Sequence, residues 1–277
     1  MKIRIRRLYI LSLIAMICVC GYELRRITGQ YQQEALRKEE LRSYRQALPE
    51  PYDDENEPAP PCDQQNDGEE AEDADNPAQP DTPAGIINQN IIDLQNEINT
   101  DVVGWLSIKN TRIDYPFVLA QDNEFYLHRD IGKEQANAGC LFMDYRCARD
   151  LSEFNTVIYG HNMKNRSMFG DLRLFADRGF FDANLSGAML VKDNTYALSI
   201  FAYMVVRADD PLIYNPSSDR EEFFGYVRKK ARQYREPAPE GKVVTLSTCA
   251  YEFNGARMVL LATLHPALCP AQTKSLR

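Results

Sequence analysis

The chain has 277 residues, a formal net charge of −8 and 44% hydrophobic residues, enough for one sizeable core. The acidity is local: residues 50–84 hold thirteen Asp/Glu and no Lys/Arg, residues 1–49 hold ten Lys/Arg and four Asp/Glu, and 22 basic and 23 acidic residues remain for 85–277. A near-neutral domain with no basic stripe interleaved with aromatics speaks against nucleic acid as a partner. Seven cysteines with no CxxC pair, beside only three histidines, speak against a metal site.

Lys2, Arg4, Arg6 and Arg7 precede an apolar run from Leu8 to Tyr22, and Glu23, Arg25 and Arg26 follow it. The run is short of the ~17–25 residues of a spanning helix, although arginines at both ends can extend it by snorkelling. No small-x-small cleavage site follows. The expectation is an uncleaved signal anchor over residues 1–27, a single pass through the cell membrane, with the basic tip inside and the rest outside. Polar, helix-favouring residues 28–49 continue it as a juxtamembrane helix. Pro51 to Pro83 carries seven prolines and almost no large apolar residue, so 50–84 reads as a disordered, self-repelling spacer. Residues 85–277 form the folded domain.

Within the domain, Ile87, Ile91, Leu94 and Ile98 recur at helical spacing and predict an amphipathic helix from Ile86 to Asn99. Val102 to Ile108 and Ile113 to Leu119 read as strands, with Pro116 marking an edge or bulge. Asp122 caps a short helix toward His128, a histidine in a polar stretch with no strand-end pattern, read as incidental. Gly139 to Tyr145 is a further strand flanked by Cys140 and Cys147, which the sequence leaves as either free thiols or a pair. Thr156 to Tyr159 is an apolar strand that runs through Gly160 into His161. Ser167 to Phe175 is a short helix, and Met189 to Val191 and Tyr196 to Val206 are strands joined at Asp193-Asn194. The connection from Arg207 to Glu240 is long and carries a helical stretch, Ser218 to Tyr234, which is more than a closing loop needs.

The last stretch, Val243 to Leu264, reads as a hairpin-like pair. A strand from Val243 to Thr248 leads into Cys249; Asn254-Gly255 turns the chain; a second strand starts at Arg257. A thiol at a strand end beside a cation suits a reactive thiolate, and a small buried apolar group is the alternative. His161 at another strand end completes the set that acyl transfer through a thioester needs: nucleophile, proton carrier and oxyanion donor. Strands dominate, with no βαβ alternation and no Gly-rich phosphate loop, so no cofactor is expected.

TLSTC followed by YEF and Arg257, with YGHNM and SMFGDL upstream, resembles the class B sortases, membrane-anchored cysteine transpeptidases of Gram-positive bacteria; the likeness runs over most of Ile86 to Leu264. The resemblance implies a mainly β fold, an eight-stranded β-barrel with an N-terminal helix and a helix in the long loop before the cysteine strand. It implies that Cys249 attacks a threonine carbonyl in the sorting signal of a secreted protein, that His161 moves the proton, and that Arg257 steadies the oxyanion. The acyl group would pass to an amine of a peptidoglycan precursor, or to a pilin lysine in a polymerising relative. It also implies that 210–235 forms one wall of the substrate groove. Ser247 shares a strand face with Cys249 and is a candidate for the substrate pocket or a barrel-facing hydroxyl; Asn162 and Tyr251 are further candidates. A hydrolytic cysteine peptidase fits less well, since papain-like enzymes run Cys before His along the chain. The remaining alternative is a non-catalytic membrane-tethered module.

Overall fold

The computed structural model describes residues 2–46, 87–237 and 241–266; the spacer expected over 50–84, with Cys62, and the residues from 267 onward lie outside the described residues. Nine strands run β1 (Val102–Ile108), β2 (Asp114–Val118), β3 (Leu141–Met143), β4 (Asn155–Tyr159), β5 (Ser186–Val191), β6 (Asn194–Arg207), β7 (Gln233–Tyr234), β8 (Lys242–Cys249) and β9 (Ala256–Pro266). They hydrogen-bond in the order β5-β1-β2-β3-β4-β8-β9-β6-β7, and pairing of β5 with β6 closes eight of them into a barrel. β2–β3 and β4–β8 are parallel and the other pairs antiparallel. This is the mainly β barrel with added helices that the sequence predicts.

Closure gives each strand an inner and an outer face; side chains fill the inside, and helices cover parts of the outside. The barrel interior is filled by Leu106, Phe117, Ile158, Leu246 and Leu260. Outside one wall, the helix α2 (Gln89–Glu97) buries Ile91 and Leu94 against Trp105 and Val118. Outside the opposite wall, α4 (Arg220–Lys230) buries Phe223 and Val227 against Val157, Val243 and Val259. Being covered twice, β1 is buried at every residue, as a near-continuous apolar run should be. The short helix α3 (Arg178–Ala183) and the 3₁₀ turns η1 (Phe125–His128) and η2 (Gly170–Ala176) fill the corners.

α4 starts where the side chain of Asp219 accepts from the Glu222 amide at 2.9 Å, with Glu221 and Glu222 in its first turn and Arg228, Lys229 and Lys230 in its last. The cap and this charge order both suit the helix dipole. The helix ends earlier than the predicted Tyr234. The Arg232 amide bonds the Tyr203 carbonyl at 2.9 Å, and Gln233–Tyr234 becomes β7 on the edge of β6. Tertiary pairing overrides the local helix preference there. Cys140 and Cys147 are buried free thiols.

A single helix, α1, runs from Lys2 to Gln46 without a break between the apolar run and the polar segment after it. Among the described residues, no helix is long and apolar enough to cross a membrane. The C-terminal part of α1 docks on the barrel: the Tyr44 hydroxyl donates to Glu97 at 2.6 Å, Arg45 Nε reaches both Asp114 oxygens at 2.9 and 3.0 Å, and Leu41 packs against the α2 cluster.

Candidate active site

The site is built where β4, β8 and β9 end side by side. β8 lies between the other two, parallel to β4 and antiparallel to β9, and the ladders pair Tyr159 with Ser247 and Cys249 with Arg257. Residues directly opposite in an antiparallel pair share a face with Cβ atoms about 4.5–5.5 Å apart. The register alone therefore sets the Arg257 side chain beside the Cys249 thiol. Cys249 is half-buried at the open end of its strand. The guanidinium of Arg257 donates to the Ala256 carbonyl at 3.1 Å, and no ion pair engages it among the described residues.

His161 arrives by the parallel neighbour. The Gly160 amide bonds the Ser247 carbonyl at 3.2 Å, carrying the β4–β8 ladder one residue past the strand. A Cβ at Gly160 would meet the Leu141 side chain at 2.4 Å and the Phe169 ring at 2.8 Å, so the chain passes through a gap that only glycine fits. The following loop is pinned: the Phe169 amide bonds the His161 carbonyl at 3.0 Å, and Asn162 Nδ2 bonds the Cys249 carbonyl at 2.9 Å. Asn162 thus ties the histidine loop to the cysteine strand.

His161 Nε2 lies 2.6 Å from the Leu127 carbonyl. A carbonyl can only accept, so the proton sits on Nε2, and in the neutral ring Nδ1 is the free base. A backbone carbonyl thereby holds the tautomer, the task a carboxylate performs in Ser-His-Asp triads. The ring of His128 stacks on His161 with centroids 5.8 Å apart and planes at 29°. The sequence left His128 as incidental, in a polar stretch; the turn η1 brings its ring against the histidine of the site. The polar stretch gave no signal for this, because the contact spans 33 residues.

On the same outer face as Cys249, the Ser247 hydroxyl is 1% exposed and lies 2.9 Å from the Tyr214 hydroxyl. Tyr214 belongs to the long loop before α4, and its ring stacks on Tyr159 at 6.0 Å. Burial raises the Tyr214 hydroxyl to about 12, although the Ser247 bond and the nearby Arg257 charge pull the other way. The Tyr159 hydroxyl donates to Asp144 at 2.9 Å, and Asp144 also accepts from Asn123 and twice from the Arg146 side chain. Burial works to raise the Asp144 carboxyl, but these hydrogen bonds outweigh it and hold the group below its ordinary value. Neither Tyr214 nor Asp144 was singled out in the sequence, where one falls in the long connection before α4 and the other in the predicted strand Gly139 to Tyr145. Tyr251 is 84% exposed on the β8–β9 turn. With Asn162, Met163, Lys164, Arg173 and Met258 it lines a cavity of about 310 Å³ beside the cysteine strand.

Among the described residues, no group of three His, Cys, Asp or Glu side chains is gathered so as to hold a metal ion. A half-exposed thiol, a guanidinium on its face and an imidazole with a fixed tautomer are equipped for acyl transfer through a thioester.

No family model matches the chain. It is 36% identical over 187 residues to Sortase B of Listeria monocytogenes, covering 65% of this chain and 76% of that protein. Among solved structures it is similar to a mutant form of Clostridium perfringens sortase B, with 29% identity, a TM-score of 0.59 and coverage of 64% of this chain and 87% of the other. It is likewise similar to a class B sortase of Streptococcus pyogenes involved in pilus biogenesis, with 32% identity, a TM-score of 0.58 and coverage of 63% and 97%. The chain belongs to the class B sortases, cysteine transpeptidases whose β-barrel with added helices it shares.

Proposed function

We propose that the chain cuts a Thr–X bond in the C-terminal sorting signal of secreted proteins and joins the new carboxyl end to an amine of a peptidoglycan precursor. The observation that carries this reading is the ladder register that faces Cys249 with Arg257, next to the strand end that delivers His161. His161 Nδ1 takes the Cys249 proton, the thiolate so formed attacks the threonine carbonyl carbon, and the Arg257 fork donates to the oxygen as it gains charge. The C–N bond breaks, the leaving amine takes a proton from His161 Nδ1, and a thioester remains. An incoming amine then gives a proton to Nδ1 and displaces the sulfur. Ser247 and Tyr214 are suited to line the acyl side of the cleft. The cavity by Asn162 and Tyr251 offers the acceptor a way in from the other side.

The N-terminal run from Leu8 to Tyr22, flanked by basic residues, supports a membrane anchor that leaves the barrel outside a Gram-positive cell. A second reading, in which the acceptor is a pilin lysine, is favoured by the likeness to the Streptococcus pyogenes enzyme involved in pilus biogenesis. Incubating the full-length chain with a library of sorting pentapeptides, with and without added amines, separates these cases. Amine-dependent ligation products are expected; cleavage whose products ignore the amine would make the protein a hydrolase. A preference for lysine side-chain amines over peptidoglycan-derived amines would select the pilin reading.

A further inference from the structure

We propose that His128 is a positioning residue for His161, holding the plane of the imidazole whose proton the reaction uses. The inference rests on His161 being the proton carrier.

The turn that carries His128 is firmly placed. Asp122 accepts from the Glu124 and Phe125 amides at 2.9 and 2.7 Å at its start. The buried Tyr126 is tied through its hydroxyl to Asp101 and Asn99, each at 2.6 Å. The Tyr126 and His128 carbonyls accept from the Cys140 and Ala136 amides at 3.1 and 3.0 Å. From this frame two successive residues meet one ring: the Leu127 carbonyl takes the Nε2 edge, and the His128 ring lies alongside it with centroids 5.8 Å apart and planes at 29°.

The two contacts do different work. A single hydrogen bond fixes where Nε2 sits but leaves the ring free to tilt about the N–H···O line, and that tilt changes the direction in which Nδ1, the free base, is presented. A flat partner at stacking distance removes the tilt. The side chain of His128 is itself exposed, so losing it opens no core cavity. The stack therefore restricts a motion that matters to proton transfer and little to folding.

The test uses the full-length chain, a quenched fluorescent sorting peptide chosen from the pentapeptide library, and 15N-histidine NMR. His128→Ala is expected to lower kcat roughly 10-fold with KM nearly unchanged, the kind of loss that misplacing a catalytic group causes. His128→Phe, which keeps a flat ring and discards the nitrogens, is expected to recover most of that loss. In the spectra, the His161 ring signals of the Ala variant should shift or broaden while the Nε2–H tautomer, held by the Leu127 carbonyl, is kept, and the Phe variant should match the parent. Melting temperatures of both should match the parent. Parental kcat and an unchanged His161 spectrum in His128→Ala would overturn the proposal, as would a Phe variant as slow as the Ala variant. A His161→Ala protein that still turns over would instead sink the assignment of His161, whatever His128 does.

Discussion

Cys147 lies just after a strand and Cys249 ends one, and both have an arginine near them, yet their surroundings differ. Cys147, in the turn after β3, is 4% exposed and points its sulfur at the Asn155 carbonyl at 3.8 Å. Its neighbour Arg146 is committed to Asp144 through 2.7 and 2.8 Å contacts. Burial, with Asp144 and Glu153 nearby, pushes the Cys147 thiol up to about 11. Burial, with Asp130 nearby, pushes Cys140 higher, to about 12. Cys249 instead stands at an open strand end, facing Arg257 across the ladder with no described carboxylate paired to that guanidinium. Proximity of a thiol and a cation is not what separates the two regions. Access to solvent and an unspent positive charge do.

The largest effects should come from the open thiol. Cys249→Ala is expected to abolish the covalent acyl adduct, checked by intact mass after incubation with a sorting peptide. At pH 8 a vinyl sulfone should label Cys249 in the folded protein and leave Cys140 and Cys147 unmodified, as read by peptide mass mapping. Labelling of Cys147 at a comparable rate would erase the contrast.

Next in size is the guanidinium. Arg257→Ala is expected to lower kcat by ~10²–10³-fold, about 2.7–4 kcal/mol of transition-state stabilisation. Arg257→Lys should recover little, because a compact ammonium lacks the planar fork. Turnover by Arg257→Ala close to the parent would remove this residue from the mechanism.

The closed pair sharpens the comparison in a different observable. Asp144 is fully buried while the Arg146 side chain is 44% exposed and can return to water, so the loss in Asp144→Ala comes from the donors left behind. About 1–3 kcal/mol of folding stability is expected to go, while Cys147 stays unreactive because it remains buried. Since the folded carboxyl lies below its unfolded value, its contribution is complete above pH ~4 and disappears as pH falls through the folded value. Denaturant titrations should show the gap between parent and variant shrinking on acidification. A gap that persists at pH 2 would mean that the carboxylate charge is not its source.

The strands and their ends were legible because local signals carry them, and the resemblance supplied the eight-stranded barrel. Short apolar runs mark the strands, and Gly160 and Asn254-Gly255 mark where they stop. A thiol, an imidazole and a guanidinium at such stops need only correct pairing of neighbouring strands to meet. What stayed hidden arrives from loops whose paths depend on the finished fold. Leu127 contributes a backbone carbonyl, which no side-chain pattern reveals. His128 and Tyr214 sit in polar stretches far along the chain from the groups they touch. Asp144 falls in the predicted strand Gly139 to Tyr145, where nothing announces that Asn123, Arg146 and Tyr159 will close over it. β7 was misread as the end of a helix because only the edge of β6 makes it a strand.

The smallest expected effect concerns the hydroxyl pair between the two regions. Alternation along β8 placed Ser247 on the face of Cys249, and its partner Tyr214 links that face, through Tyr159, to the buried Asp144. If the pair only satisfies two buried hydroxyls, Ser247→Ala and Tyr214→Phe should each cost about 0.5–1.5 kcal/mol. The double variant should then cost less than their sum, because neither partner is left alone. If the pair also shapes the acyl side of the cleft, each single variant should raise KM for the sorting peptide a few-fold while single-turnover acylation at saturation is preserved. Additive stability losses together with an unmoved KM would leave Ser247 and Tyr214 as neighbours without coupling, and the link from Cys249 to Asp144 would be geometric only.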